Sequence, residues 1–234
     1  LALSKSPIDE EMAILLQNLL NKTKVAIISG GAFPQFQTQV INKLPKETNL
    51  NNLFILPTSG ASLYTYSENW NCIYSSEINR EDSERIIFHL NQGIVQFNLL
   101  PEISWGNIIE HRGSQITYSA LGQQAPLHEK EKWDLDKKKR LLLQNYLKDF
   151  LPEFEIRVGG STSVDITLKG IDKAFGMNKL REYLNLSIED ILFLGDSLFE
   201  GGNDSSVLVL GIDSIQVENV EETKAFITKV NETT

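Results

Sequence analysis

Sulfur, histidine and positive charge are all in short supply in this sequence, and each shortage argues against a class of function. Cys72 is the only cysteine among 234 residues. An internal disulfide is therefore impossible, and a thiolate zinc site has too few ligands. The three histidines, His89, His111 and His128, are scattered and lack the spacing of a zinc site. Lys and Arg number 22 against 31 Asp and Glu, for a net charge of −9. That balance argues against a nucleic-acid partner, whose phosphates need clustered cations. No apolar run approaches the roughly 20 residues of a membrane-crossing helix, so no membrane partner is expected. A secretory leader is not recognisable, and the default expectation is a cytoplasmic location. With 41% hydrophobic and 23% charged residues, the composition is that of a globular chain rather than a disordered tail. The first residue is Leu1, not methionine.

The periodicity changes along the chain. Ser6-Pro7 reads as a helix start, and Met12, Leu15, Leu16, Leu19 and Leu20 recur at helical spacing. An apolar run at 25–28 ends in Ser29-Gly30-Gly31, and a helical stretch follows over 33–43. Strand, glycine turn and helix in that order predict an α/β unit. Residues 53–56 form a second buried strand, and 62–66 with 71–75 a hairpin. The middle of the chain reads differently: a helix over 81–97, strands at 107–112 and 115–119, a charged connection over 122–134, a helix from 136, and strands at 154–158 and 163–168. Locally paired strands with helices predict an α+β block. The α/β pattern then returns, with a helix from Lys173, strands at 191–194 and 207–210, and a final helix opened by Asn219 and Glu222. These features predict an α/β core, residues 1–78 and 169–234, with a second domain, 79–168, inserted into it.

Three local features carry chemistry. Gly195-Asp196-Ser197-Leu198-Phe199-Glu200-Gly201-Gly202-Asn203-Asp204 follows a buried strand directly. Ligands of open α/β sheets sit beyond the carboxyl ends of strands. Asp196 and Asp204 there suit Mg²⁺, which takes a few carboxylates plus water and substrate phosphate. Gly-Asp and Asn-Asp pairs also make turns unaided. Ser29-Gly30-Gly31 offers a hydroxyl and backbone N–H groups to a phosphate, although glycine after a strand is common turn chemistry. Lys173, at a helix start, can reach a phosphoryl group as a point charge, or simply be solvated. Asp136-Lys137-Lys138-Lys139-Arg140 reads as a solvated helix start. Trp70, Trp105 and Trp133 read as packing residues, and Cys72 as an inert buried thiol.

Taken together, these residues resemble the haloacid-dehalogenase (HAD) superfamily, its subfamily IIB, and within it the eukaryotic-type phosphomannomutase family. Ser29, an insert, Lys173, and Gly195-Asp196 through Gly201-Gly202-Asn203-Asp204 are similar to that superfamily's second, third and fourth motifs. Gly159-Gly160, Ser163, Asp165, Gly170, Asp172 and Lys173 keep the mutase family's register. Ile109-Glu110-His111-Arg112 resembles its Ile-Glu-Phe-Arg strand, and Asp134-Leu135-Asp136-Lys137-Lys138 its Glu-Leu-Asp-Lys-Lys.

The resemblance implies a Rossmann-like HAD core with an inserted α+β (C2-type) cap. It implies Mg²⁺ held by Asp196, Asn203 and Asp204, with Ser29, Gly30 and Lys173 on the phosphate. Catalytic roles fall to Ser29, Lys173 and Asp196. On the cap, Arg112, Gln123, Ser163 and Asp165 would contact a small phosphate ester such as a sugar phosphate, and a homodimer would form through the cap. The family's Asp-x-Asp motif, which supplies its nucleophile and acid/base, is expected upstream of Leu1. Two family arginines are replaced, by Gln123 and Trp105, which removes bidentate phosphate recognition. The first expectation is therefore a sugar-phosphate phosphatase working through an aspartyl-phosphate. The alternatives are a phosphohexomutase, which needs a phosphate site for each end of its substrate, and a catalytically silent binding relative.

Overall fold

In the computed structural model, residues 1–2 and 6–233 are described. In chain order the elements are α1 (Glu10–Leu20), β1 (Val25–Ile28), α2 (Phe33–Gln39), β2 (Leu53–Leu56), β3 (Ser62–Ser67), β4 (Asn69–Ser75), α3 (Arg80–Gln96), β5 (Ile109–His111), β6 (Gln115–Ser119), α4 (Leu127–Trp133), α5 (Lys138–Phe150), β7 (Phe154–Gly159), β8 (Ser163–Leu168), α6 (Lys173–Leu184), β9 (Leu192–Gly195), α7 (Ser205–Leu208), β10 (Asp213–Gln216) and α8 (Val220–Thr233). They divide into two compact units: Leu1–Ser75 with Ile171–Thr234, and Ser76–Gly170.

The first unit is built on β1 and β2. They run parallel, in register Ile28↔Leu56, and the β3–β4 hairpin extends their sheet antiparallel. A separate parallel pair joins β9 to β10. All four residues of β2 are buried, as a strand covered on both faces requires. One apolar cluster gathers Met12, Leu16 and Leu20 of α1 with Ile27 and Ile55. Another gathers Leu56, Met177, Leu180 and Phe193, joining both sheets to α6.

Helix α1 starts later than Ser6-Pro7 predicts. The Ile8 amide donates to Gln39 O at 2.9 Å, which keeps the leading residues extended. Asp9 is the cap instead, accepting from the Met12 amide at 2.9 Å, with Glu10 and Glu11 in the first turn. Residues 207–210 are not a strand. Val207 N donates to Asp204 O at 3.0 Å, so the chain turns helically through α7. Gly211, with φ of 73°, then turns it into β10. That strand is mostly exposed and polar, so it carries no apolar run to betray it.

In the second unit, β5-β6-β8-β7 form an antiparallel sheet. Its alternation is strict. Ile116, Tyr118, Ile156, Val164 and Ile166 pack against Ile86, Leu90, Leu143 and Leu147 from α3 and α5. The other face is polar: Glu110, Thr117, Asp165 and Arg157 are cross-strand neighbours in a single row.

The charged connection over 122–134 holds a helix, α4, with Lys130 buried. The basic run after Asp136 is only partly solvated, because Arg140 is 2% exposed. Arg140 Nε pairs with Asp134 Oδ2 at 2.8 Å, and its Nη1 donates to Gly160 O at 2.6 Å. Cys72 is exposed, because it stands on β4 at the edge of the sheet. Trp70 packs edge-on between Phe33 and Tyr66, at 5.7 and 5.5 Å between ring centroids. Trp105 and Trp133 instead line a 340 Å³ cavity with Leu100, Ile103 and Lys139.

Candidate active site

The first unit places Ser29 and Gly30 beyond the carboxyl end of β1 and Asp196 beyond that of β9. Ser29 leaves β1 with its amide on Leu56 O at 3.3 Å. Ser29 and Gly30 are exposed, and a Cβ at Gly30 would meet nothing within 4 Å. This bend is therefore open to a ligand on one side.

Lys173 opens α6 behind Asp172, whose carboxylate accepts the Phe175 amide at 3.0 Å as an N-cap. Lys173 is 8% exposed and Asp204 1%. Their Nζ and Oδ1 form a buried ion pair. Asp204 Oδ2 takes the Ser197 amide at 3.0 Å, so one carboxylate ties α6 to the loop after β9. The glycines of that loop are there for space. A Cβ at Gly195 would lie 2.7 Å from Asp204 Oδ2, and one at Gly202 would lie 2.1 Å from Ser197 O. Gln216 completes the loop. Its Nε2 donates to Asp196 O at 2.8 Å, and its Oε1 accepts the Leu198 amide at 3.0 Å. Sequence reasoning missed Gln216 because it stands on β10, the strand placed elsewhere.

Asp196 is exposed at the end of β9, and Ser197 Oγ donates to its Oδ1 at 3.2 Å. Asn203 is also exposed. Their oxygens are of the hard type Mg²⁺ prefers. Asp204 differs, since both of its oxygens are already engaged inside the protein. Among the described residues no three His, Cys, Asp or Glu side chains cluster as a ready-made metal site. Asp196 and Asn203 are thus exposed oxygen donors of the kind a magnesium shell takes, the rest of such a shell being left to water and substrate phosphate.

On the second unit, the four predicted residues share the polar sheet face. Thr117 Oγ1 donates to Asp165 Oδ1 at 2.8 Å. Ser163 Oγ donates to Gly159 O at 2.7 Å. Gln123 Nε2 reaches Ser119 Oγ at 2.8 Å. Arg112, its side chain 11% exposed, is paired with Glu110 at 2.6 Å. Arg157 lies opposite Asp165, half-exposed and 3.5 Å from Glu155. Lys130, hidden in the unrecognised α4, donates to Gln123 O at 2.8 Å. Pro126 just before it was the available signal for that helix. Trp105 supplies no cation here. Its backbone pairs with Leu121 and Gln124, while its side chain lines the cavity described above.

The fold is that of the HAD proteins. A haloacid dehalogenase-like hydrolase from Bacteroides thetaiotaomicron superposes with a TM-score of 0.68 at 12% identity, over 97% of this chain and 94% of that one. The N-terminally truncated IMP-nucleotidase of Plasmodium falciparum gives 0.68 at 16% identity, over 95% of this chain and 65% of that one. Among HAD proteins the family is specific: the eukaryotic phosphomannomutase family matches residues 12–232, and the chain belongs to it. The phosphomannomutase of Encephalitozoon cuniculi is 25% identical over 233 residues, covering 94% of this chain and 85% of that protein. That of Schizosaccharomyces pombe is 23% identical over 214 residues, covering 88% and 79%. Membership makes the chain an enzyme of the phosphatase or phosphomutase kind.

Proposed function

We propose that this chain serves a phosphatase acting on small phosphate monoesters, with a sugar phosphate as substrate. The observation that carries the reading is the buried Lys173–Asp204 pair joined to the exposed Asp196 loop and accompanied by the open Ser29–Gly30 bend. A phosphoryl group in flight spreads negative charge over its equatorial oxygens, and fixed donors that do not reorganise stabilise it. Ser29 Oγ, the Gly30 amide and Lys173 Nζ are such donors. Asp204 holds Lys173 in place rather than binding metal. Asp196 and Asn203 would hold Mg²⁺, which supplies charge neutralisation on the transferring group. Arg112, Gln123, Ser163 and Asp165 bind the organic part of the substrate.

The aspartyl nucleophile and its acid/base partner are, in this reading, none of the residues just named.

Phosphatase is favoured over mutase by the second unit, where Arg112 is already matched by Glu110 and Trp105 lines a cavity in place of supplying a cation. The second reading, a phosphohexomutase, is favoured by the family match and by Lys130, a buried cation beside Gln123. Assay of the protein on mannose 1-phosphate separates them. Phosphate release that needs no glucose 1,6-bisphosphate is the expected result. Bisphosphate-dependent formation of mannose 6-phosphate would replace the phosphatase with the mutase. Binding without turnover would leave the silent relative.

A further inference from the structure

The chain after β2 has a backbone that side-chain-bearing residues seldom adopt. Thr58, Ser59 and Gly60 all have positive φ, at 48°, 59° and 90°. Such conformations persist where the surroundings over-determine them, and they concentrate at functional sites. Here the surroundings are the Ser29–Gly31 bend. The Thr58 amide donates to Gly31 O at 2.9 Å and the Ser59 amide to Ser29 O at 2.9 Å. Tyr74 Oη donates to Gly60 O at 2.7 Å and braces the arch from β4.

Peptide planarity gives these bonds a consequence. The carbonyl of Ser29 and the amide of Gly30 belong to one trans peptide and point in opposite directions. Fixing Ser29 O on the arch therefore turns the Gly30 N–H away from it, toward the open side of the bend.

The same arch also touches α6. A Cβ on Gly60 would lie 2.4 Å from Gly176 Cα, and a Cβ on Gly176 would lie 2.6 Å from Gly60 Cα. Both obstacles are backbone, so neither can rotate aside. Gly176 is one helical turn after Lys173. Glycine inside a helix is unfavourable, and its presence here needs a packing reason.

We propose that the 58–60 arch, seated through Gly60 on Gly176, is the positioning element of the phosphate site. It aims the Gly30 amide and sets where α6, and with it Lys173, stands relative to the bend. This rests on the reading of Ser29, Gly30 and Lys173 as phosphate-binding. Gly60, Gly176, Thr58, Ser59 and Tyr74 contribute no atom to the phosphate.

The test compares Gly176→Ala with Leu180→Ala, a core truncation one turn further along α6, in the full chain. Two quantities are read: binding of inorganic phosphate by calorimetry, and hydrogen exchange of the Thr58 and Ser59 amides. Gly176→Ala should weaken phosphate binding by about tenfold or more, as sub-ångström misplacement does, and should speed exchange at both amides. Leu180→Ala should lower the melting temperature yet leave both near the parent values. Tyr74→Phe, which removes only the bond to Gly60 O, should move both in the same direction as Gly176→Ala and decides the matter where that variant does not fold. Parent-like binding and exchange in Gly176→Ala would overturn the proposal, as would parallel losses in Leu180→Ala. Should the parent chain bind no phosphate, the phosphate-site reading fails. Amide exchange then decides alone whether the arch is seated by Gly176.

Discussion

Lys173 and Asp204 are the pair on which the proposed chemistry depends, and their burial fixes what a substitution does. Removing one member leaves the other charged, buried and alone, which costs about 3–5 kcal/mol. Lys173→Met should therefore lower urea stability by about that amount and abolish turnover. The double variant Lys173→Met with Asp204→Asn should regain much of the stability and none of the turnover. Recovery of activity in the double variant would show that Lys173 serves the fold alone. Gln216 acts differently, since its amide bonds the backbone on both sides of Ser197. Gln216→Ala should reduce activity more than stability, read as a loss of kcat with less than about 1.5 kcal/mol in urea unfolding. Both residues show the limit of reading along the chain. Lys173 and Asp204 stand 31 positions apart, and along the chain the first reads as a phosphate contact or a solvated charge and the second as a metal ligand or a turn residue, neither as the other's partner.

Helix α5 is anchored at its start by an ion pair. The cap residue before the helix, Lys137, has φ of 59°, and the orphan amides of Lys139 and Arg140 are taken by Asp134 at 3.1 Å each. Arg140 then links that cap to Gly159 and Gly160 at the end of β7. Burial tends to raise the Asp134 pKa, but the Arg140 guanidinium and the two amides outweigh it and hold the carboxyl below its ordinary value. A depressed carboxylate stabilises above its unfolded pKa, about 3.9, and that contribution is lost as pH falls through the lower folded value. Asp134→Asn should be less stable than the parent at neutral pH and should lose less on acidification, as followed by circular dichroism. An acid transition identical to the parent's would rule out Asp134 as the titrating group. Arg140→Lys should not restore what Arg140→Ala loses, because one ammonium cannot reach Asp134 and both glycine carbonyls in the fork geometry of arginine. This helix was foreseen, but not its buried face: Leu143 and Leu147 are buried, while Leu141, Leu142 and Phe150 stay exposed. Nor was its cap, because Asp134 and Arg140 look like part of a charged run until the fold buries them.

Each unit has its own apolar core, and the consequence is independent folding. In the second unit, Ile86, Leu90, Ile94, Tyr118, Leu143, Leu147 and Val164 are each no more than 1% exposed. Residues 76–170 expressed alone should give a cooperative thermal transition with mixed helix and strand signal. A fragment that melts without cooperativity would show that its core needs the rest of the chain.

Most of the elements, the two-part α/β and α+β character and the chemical types at the candidate site follow from local order along the chain. Apolar periodicity, glycine after a strand and aspartate at a strand end are all short-range consequences of backbone geometry and burial. Three-dimensional packing determined what the charges do. It made Asp204 a holder of Lys173, buried Arg140 and Lys130, turned Trp105 into a cavity, and put Gly60 against Gly176. These outcomes depend on which groups lose their water and which backbones approach closely. Neither is a property of neighbouring residues in a chain; both arise only when segments distant in sequence are packed together.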